Sequence, residues 1–216
     1  MDPTGIPAPE TEGSSDQSHS PDSGGYHDGV TPGWGSKHFS LWGQNAAQVK
    51  ALIKPEVVKY KPDYLFLELG FNDIGWFVSD PAGTLSSMHS IVTNARAANP
   101  NIHFAIANVP QRTPLGDINA DLPERTTKYN KMLAKAIPEW STAASKIQLV
   151  KLQENYECGP DGCPAGYDGL HPNALGEYQI AQAFSRTLIQ GFGVGKRELV
   201  IPGNVREFTP PLHTEA

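Results

Sequence analysis

The stretch AGYDGLHPNALGEYQIAQ, residues 165 to 182, sets Asp168 and His171 three positions apart, immediately before a proline and a run of apolar residues at helical spacing. A proline suits the first turn of a helix, and the residue before it is driven into extended backbone. His171 is therefore expected to project from the helix start into a crevice, with Asp168 folding back onto its Nδ1. Such a contact fixes the imidazole tautomer and leaves Nε2 free to act as a base. The same residues also suit an ordinary Asp-Gly turn carrying a surface histidine. A second candidate lies in LELGFNDIGW, residues 67 to 76. Gly70 permits a tight turn or a close approach of backbone to ligand. The amide of Asn72 can donate to a developing oxyanion without titrating, although an Asn-Asp pair is also common in turns. A base, its orienting acid and an oxyanion donor are three of the four parts of acyl transfer by a serine nucleophile.

The elements that must position these residues are legible as alternating strands and helices. Residues 44 to 60 place Val49, Leu52, Ile53 and Val57 on one helical face, with Pro55 expected to break or kink the helix. Residues 62 to 70 form a short apolar run ending at glycine, which reads as a buried strand. Leu85, Met88, Ile91, Val92 and Ala95 then recur at helical spacing. A second strand is expected over 101 to 110, a helix near 123 to 137 ended by Pro138, a third strand over 146 to 152, and a closing helix from 173 to about 190. This order implies an α/β fold with a parallel sheet covered on both faces. In such sheets ligands bind beyond the carboxyl ends of the strands, so the chemistry is expected just after residues 69, 108 and 152.

The paired motifs, in this order, resemble those of the SGNH (GDSL-type) hydrolases, a family of esterases and lipases. Gly70 to Asp73 matches that family's Gly-x-Asn-Asp block, and Asp168 to Pro172 its Asp-x-x-His-Pro block. The resemblance implies a flavodoxin-like fold, with His171 and Asp168 catalytic and Asn72 in the oxyanion hole. It also implies a second-block glycine whose N–H completes that hole. Gly43, in SLWGQNAAQV, fits its spacing, and Gly33, in VTPGWGS, is the alternative. Gly70, Asp73 and Trp42 are then expected to contact substrate. The stretch GGYHDGVTPGW is similar to the corresponding loop of secreted carbohydrate esterases of the family. This likeness places action outside the cell and on small acyl esters, acetyl groups on carbohydrates first among them.

One block of the pattern is missing. The family's nucleophile follows an apolar strand within Gly-Asp-Ser. EGSSDQS at 12 to 18 and DSG at 22 to 24 carry serines but follow no strand. The chain thus reads as truncated at its N-terminus, without the family's first strand and first helix, and as inactive or nearly so. The organisation expected is a low-complexity or long loop region over 1–37, the esterase domain over 38–193, and a linker or tail over 194–216.

Other classes are disfavoured. A net charge of −6 with no basic block argues against nucleic acid. No run of 18 apolar residues is present to span a membrane, and no secretory signal is visible at the start. No cofactor is implied. A metal site built from His27, His38 and His171 lacks any HExxH or close histidine pair. Cys158 and Cys163 flank a Gly-Pro-Asp-Gly turn, which favours a small disulfide loop and with it an oxidising compartment. The competing function is a non-catalytic carbohydrate-binding remnant of the fold, with Trp34, Trp42, Trp76 and Tyr167 stacking on sugar rings. Arg112, in the loop after the second strand, is expected to be a solvated charge or a substrate contact.

Overall fold

The computed structural model describes residues 38–114, 119–203 and 205. The chain divides into two compact units, Met1–Gln44 and Asn45–Ala216. Of the first, only a turn closed by Gln44 N–H donating to Leu41 C=O is described, with Gly43 in left-handed backbone at φ 73°. Gly33, Trp34, His27 and the whole 1–37 region lie outside the described residues, as do the serines considered above.

The second unit starts at helix α1, Ala46–Tyr60. Its beginning is fixed by a capping box. Asn45 Oδ1 accepts from Gln48 N–H at 3.0 Å, and Gln48 Oε1 accepts from Asn45 N–H at 3.3 Å. Asn45→Ala is expected to cost about 1 kcal/mol, read as a lowered thermal midpoint. Val49, Ile53 and Val57 are buried and Leu52 half-buried. Pro55 does not break this helix, contrary to expectation. Both Pro55 and Ala51, whose carbonyl loses its partner four residues on, are exposed, so water takes the freed acceptor.

Strand β1 (Tyr64–Leu67) is followed by the short helix α2 (Phe71–Gly75) and by α3 (Pro81–Ala98). Strand β2 (His103–Ala107) leads to α4 (Leu122–Trp140), and β3 (Ile147–Val150) to α5 (Leu152–Asn155). Helix α6 (Ala174–Thr187) passes into a π-helical turn at Leu188–Phe192. Pro138 sits inside α4 and does not end it: Pro138 and Ala134 both face solvent, as at Pro55. Residues 194–202 form no helix or strand, but hydrogen bonds hold them to α6 and the π-helical turn, from Gln182 Nε2 to Leu199 C=O at 2.8 Å and from Arg186 and Gln190 to Glu198.

The three strands run parallel in the order β1-β2-β3. Their register aligns Phe66 with Ala105 and Ala105 with Gln148 on one face. That face carries α6: the Phe66 and Phe184 rings lie 5.6 Å apart, and Ala105, Ala107, Val150, Leu152, Tyr156 and Ala183 form a buried cluster. Phe104 and Ile106 point the opposite way. Arg96 of α3 lies 5.5 Å from the Phe104 ring, so helices cover both faces. Among the described residues β1 is an edge strand, and Phe66 is 49% exposed.

Candidate active site

The carboxyl ends of all three strands open onto one cavity of about 260 Å³, as parallel α/β topology requires. Glu68 and Leu69 reach it from beyond β1, Asn108 to Pro110 from beyond β2, and Leu152 and Tyr156 from beyond β3. Phe71 and Asn72 arrive from α2, and Leu170 to Pro172 from the loop before α6. The cavity thus brings Asn72 and His171 together, although nearly half the chain separates them.

Each is placed by an identifiable local cause. Gly70 turns the chain at φ 111°, and a Cβ there would lie 3.3 Å from Thr84, Tyr129 and Val109 at once. The turn therefore demands glycine on both conformational and steric grounds. It starts α2 at once, so Asn72 sits on the first turn of a short helix and not on an open loop. Gly70 itself is buried, and its role in the structure is to form the turn.

Asp73 also has a structural role. Its side chain is fully buried, with Oδ2 accepting from Ala46 N–H at 2.7 Å and Oδ1 from Ala47 N–H at 3.0 Å. The carboxylate satisfies the free donors at the start of α1 and complements the helix dipole. It fastens α1 to α2 and contacts no cavity.

His171 Nδ1 and Asp168 Oδ2 lie 2.6 Å apart, with the two side chains 60% and 42% exposed. Asp168 Oδ1 accepts in addition from the backbone N–H of His171 at 2.8 Å and of Leu170 at 3.1 Å. Partial burial pulls this carboxyl upward, but the bonds from the His171 ring and the two backbone donors outweigh it and hold Asp168 below the usual aspartate value. A carboxyl depressed on folding stabilises fully above its unfolded pKa and loses that contribution as pH falls through the folded one. The loop is therefore expected to loosen below about pH 3.8, seen as faster exchange of the Tyr167 amide, with Asp168→Asn already loose at neutral pH.

Several supports surround the pair. Tyr167 stacks on His171 with centroids 5.9 Å apart and planes at 21°. Tyr156 Oη donates to Leu170 C=O at 2.7 Å, and burial raises its own pKa. Thr113 N–H donates to Gly169 C=O at 3.1 Å. Arg112 donates Nε to Thr113 C=O at 2.9 Å and feels the Asp168 charge, which opposes the lowering by desolvation of its pKa. Cys158 and Cys163 are joined in a disulfide, as their turn chemistry predicts. Trp76 is exposed and is not among the cavity residues. Trp42 and His38 belong to the first unit, where Trp42 is exposed and His38 Nδ1 accepts from Ser40 N–H. Among the described residues no group of three or more potential ligands is placed to hold a metal.

Two cavity residues escape the motif reading. Glu68 is the acidic lining residue. The protein crowded around it pushes its carboxyl up to about 7, while solvent contact along the side chain tempers that desolvation. Asn108 accepts from Gln153 N–H at 2.7 Å and donates to Glu154 Oε2 at 2.8 Å, tying the ends of β2 and β3 together. Its place directly after an apolar strand was the available signal.

Residues 23–178 match the model of the GDSL-like lipase/acylhydrolase family. A carbohydrate esterase family 3 structure from Talaromyces cellulolyticus is similar at a TM-score of 0.58 and 21% identity, over 82% of this chain and 79% of that one. A mutant acetyl esterase with acetate ion is similar at a TM-score of 0.51 and 24% identity, over 70% of this chain and 69% of that one. At such identities the likeness is one of fold, the parallel α/β arrangement of SGNH hydrolases. No curated protein matches the sequence. The family match spans well over half of the residues and includes both motifs that meet at the cavity, and on it the chain belongs to the GDSL-like lipase/acylhydrolase family.

Proposed function

We propose that the cavity is the acyl-transfer site of a carboxylic ester hydrolase acting on small acyl esters, acetyl esters of carbohydrates in particular, and that this chain turns over slowly. The observation that carries the reading is the placement of Asn72 and the Asp168-oriented His171 on one cavity. In this mechanism His171 Nε2 removes the proton from the attacking oxygen and later returns it to the leaving alcohol, while Asp168 stabilises the imidazolium. Asn72 donates its amide to the tetrahedral oxyanion. The apolar lining, including Leu69, Phe71, Val109 and Ile180, leaves space for a short acyl group. Tyr167 offers a face for a sugar ring. Action outside the cell accords with the Cys158–Cys163 bridge, since such bonds persist in oxidising surroundings.

Among the described residues, no serine, threonine or cysteine lines the cavity. The slow turnover belongs to the proposal: with no such group supplied, His171 has only water to activate. The experiment is acetate release from an acetylated oligosaccharide. Release faster than in buffer, lowered most in Asn72→Ala and also in His171→Ala, supports the proposal. Tight binding with no acceleration would replace it with the carbohydrate-binding reading.

A further inference from the structure

The loop that carries Asp168 and His171 is a small hairpin. Asn173 N–H donates to Ala165 C=O at 2.9 Å and Tyr167 N–H to His171 C=O at 3.0 Å, with Gly166 bridged to Pro172 between them. The two acidic and imidazole side chains sit at and beside its tip. Directly before it lies a second hairpin, closed by Ala165 N–H to Glu157 C=O and by reciprocal bonds between Gly159 and Gly162. The disulfide spans this second hairpin.

Both sulfurs rest on the hairpin of the pair. A Cβ on Gly166 would lie 2.6 Å from Cys163 Sγ, so the sulfur occupies the space a side chain would take. Cys158 Sγ lies 3.2 Å from Gly169 C=O, between Asp168 and His171 in sequence. A disulfide sulfur has no proton to donate, so this is a packing contact. The bridge thus backs the hairpin at two points, one on its rising strand and one at its tip.

We propose that the Cys158–Cys163 disulfide is a positioning element for the Asp168–His171 pair, holding the tip at which Asp168 receives its three hydrogen bonds. Calling the pair catalytic rests on the function proposed above; the placement of the loop does not. A bridge across a sequence separation of only 5 removes little chain entropy compared with one that closes a long loop. Its main effect is therefore local. Thr113 and Tyr156 hold the carbonyls of Gly169 and Leu170 from the other sides, so without the bridge the tip keeps partners but loses its backing.

The test compares the oxidised chain, the chain reduced by dithiothreitol, and the Cys158→Ser/Cys163→Ser variant. Reduction adds two electrons and two protons to the bridge, giving two thiols, while the dithiol closes to its cyclic disulfide. Amide exchange over residues 165–173 is expected to quicken by about tenfold or more without the bridge, with α3 and β2 unchanged. The Asp168 carboxyl, followed by carbon NMR against pH, is expected to rise toward the ordinary aspartate value as it loses bonds. Besides His171, the titratable or charged groups near it are Arg112, Tyr156 and Tyr167. Reoxidation restores both readouts. An Asp168 titration unchanged by loss of the bridge would overturn the proposal. So would loss of protection across the whole unit, because the bridge would then be holding the fold. Neither readout uses turnover, so the result stands apart from whether the pair hydrolyses an ester.

Discussion

The 216-residue chain is expected to hydrolyse a chromogenic acetate ester about 10⁶-fold more slowly than a serine esterase with its nucleophile in place, yet about 10³-fold faster than buffer. The first figure rests on the proposal that no nucleophile serves His171; among the described residues no serine, threonine or cysteine lines the cavity. Removing such a nucleophile costs about as much as removing the whole triad, because its members act as one unit. The second figure is what oxyanion stabilisation and binding retain. It makes Asn72 the dominant residue in what activity is left: Asn72→Ala is expected to lower the residual rate by a further factor of about 10²–10³. His171→Ala removes the base that activates water and lowers it as well. The measurement is initial rate against ester concentration for the three proteins, with the buffer rate subtracted. Turnover at the level of an ordinary esterase, abolished by His171→Ala, would show that a nucleophile outside the lining residues serves the site.

The features legible in the sequence are those set by local chemistry. Apolar runs marked β1, β2 and β3, although of these only β2 is buried along most of its length, and Phe66 of β1 is half exposed. His171 was placed by the proline after it and by an acid at a reach of three residues, and Gly70 by the turn it makes. The disulfide followed from the turn between its cysteines. What escaped depends on partners distant in sequence or on which side of a helix meets water. Pro55 and Pro138 were expected to break their helices, but each sits on the solvent side, where a missing hydrogen bond is replaced by water. Tyr156 became visible only when the end of β3 met the cavity, while Asn108 had its place after an apolar strand as a signal. The Gly-x-Asn-Asp resemblance points Asp73 toward substrate, whereas the groups it binds in the structure are 26 and 27 residues earlier.

Asp73→Ala is accordingly expected to be among the most destabilising single substitutions in the chain, at about 3–5 kcal/mol, since hydrogen bonds to a charged group contribute about 1.5–3 kcal/mol each. The carboxylate is fully buried and accepts two bonds from the first turn of α1. Alanine removes both bonds, empties the space, and leaves the Ala46 and Ala47 donors without the carboxylate. A domain of this size is stable by roughly 5–15 kcal/mol, so the loss takes a large share of the total. The thermal midpoint is expected to fall by about 10 °C. Asp73→Asn keeps one acceptor but turns an amide N–H₂ toward a backbone N–H, and most of the loss remains. The control is Asn45→Ala, which disturbs the same helix end through its exchange with Gln48 at about 1 kcal/mol. A substrate-contacting Asp73 would give the opposite pattern: weakened ester binding with the thermal midpoint unchanged. Calorimetric melting of the variant beside ligand titration of the same sample separates the two roles.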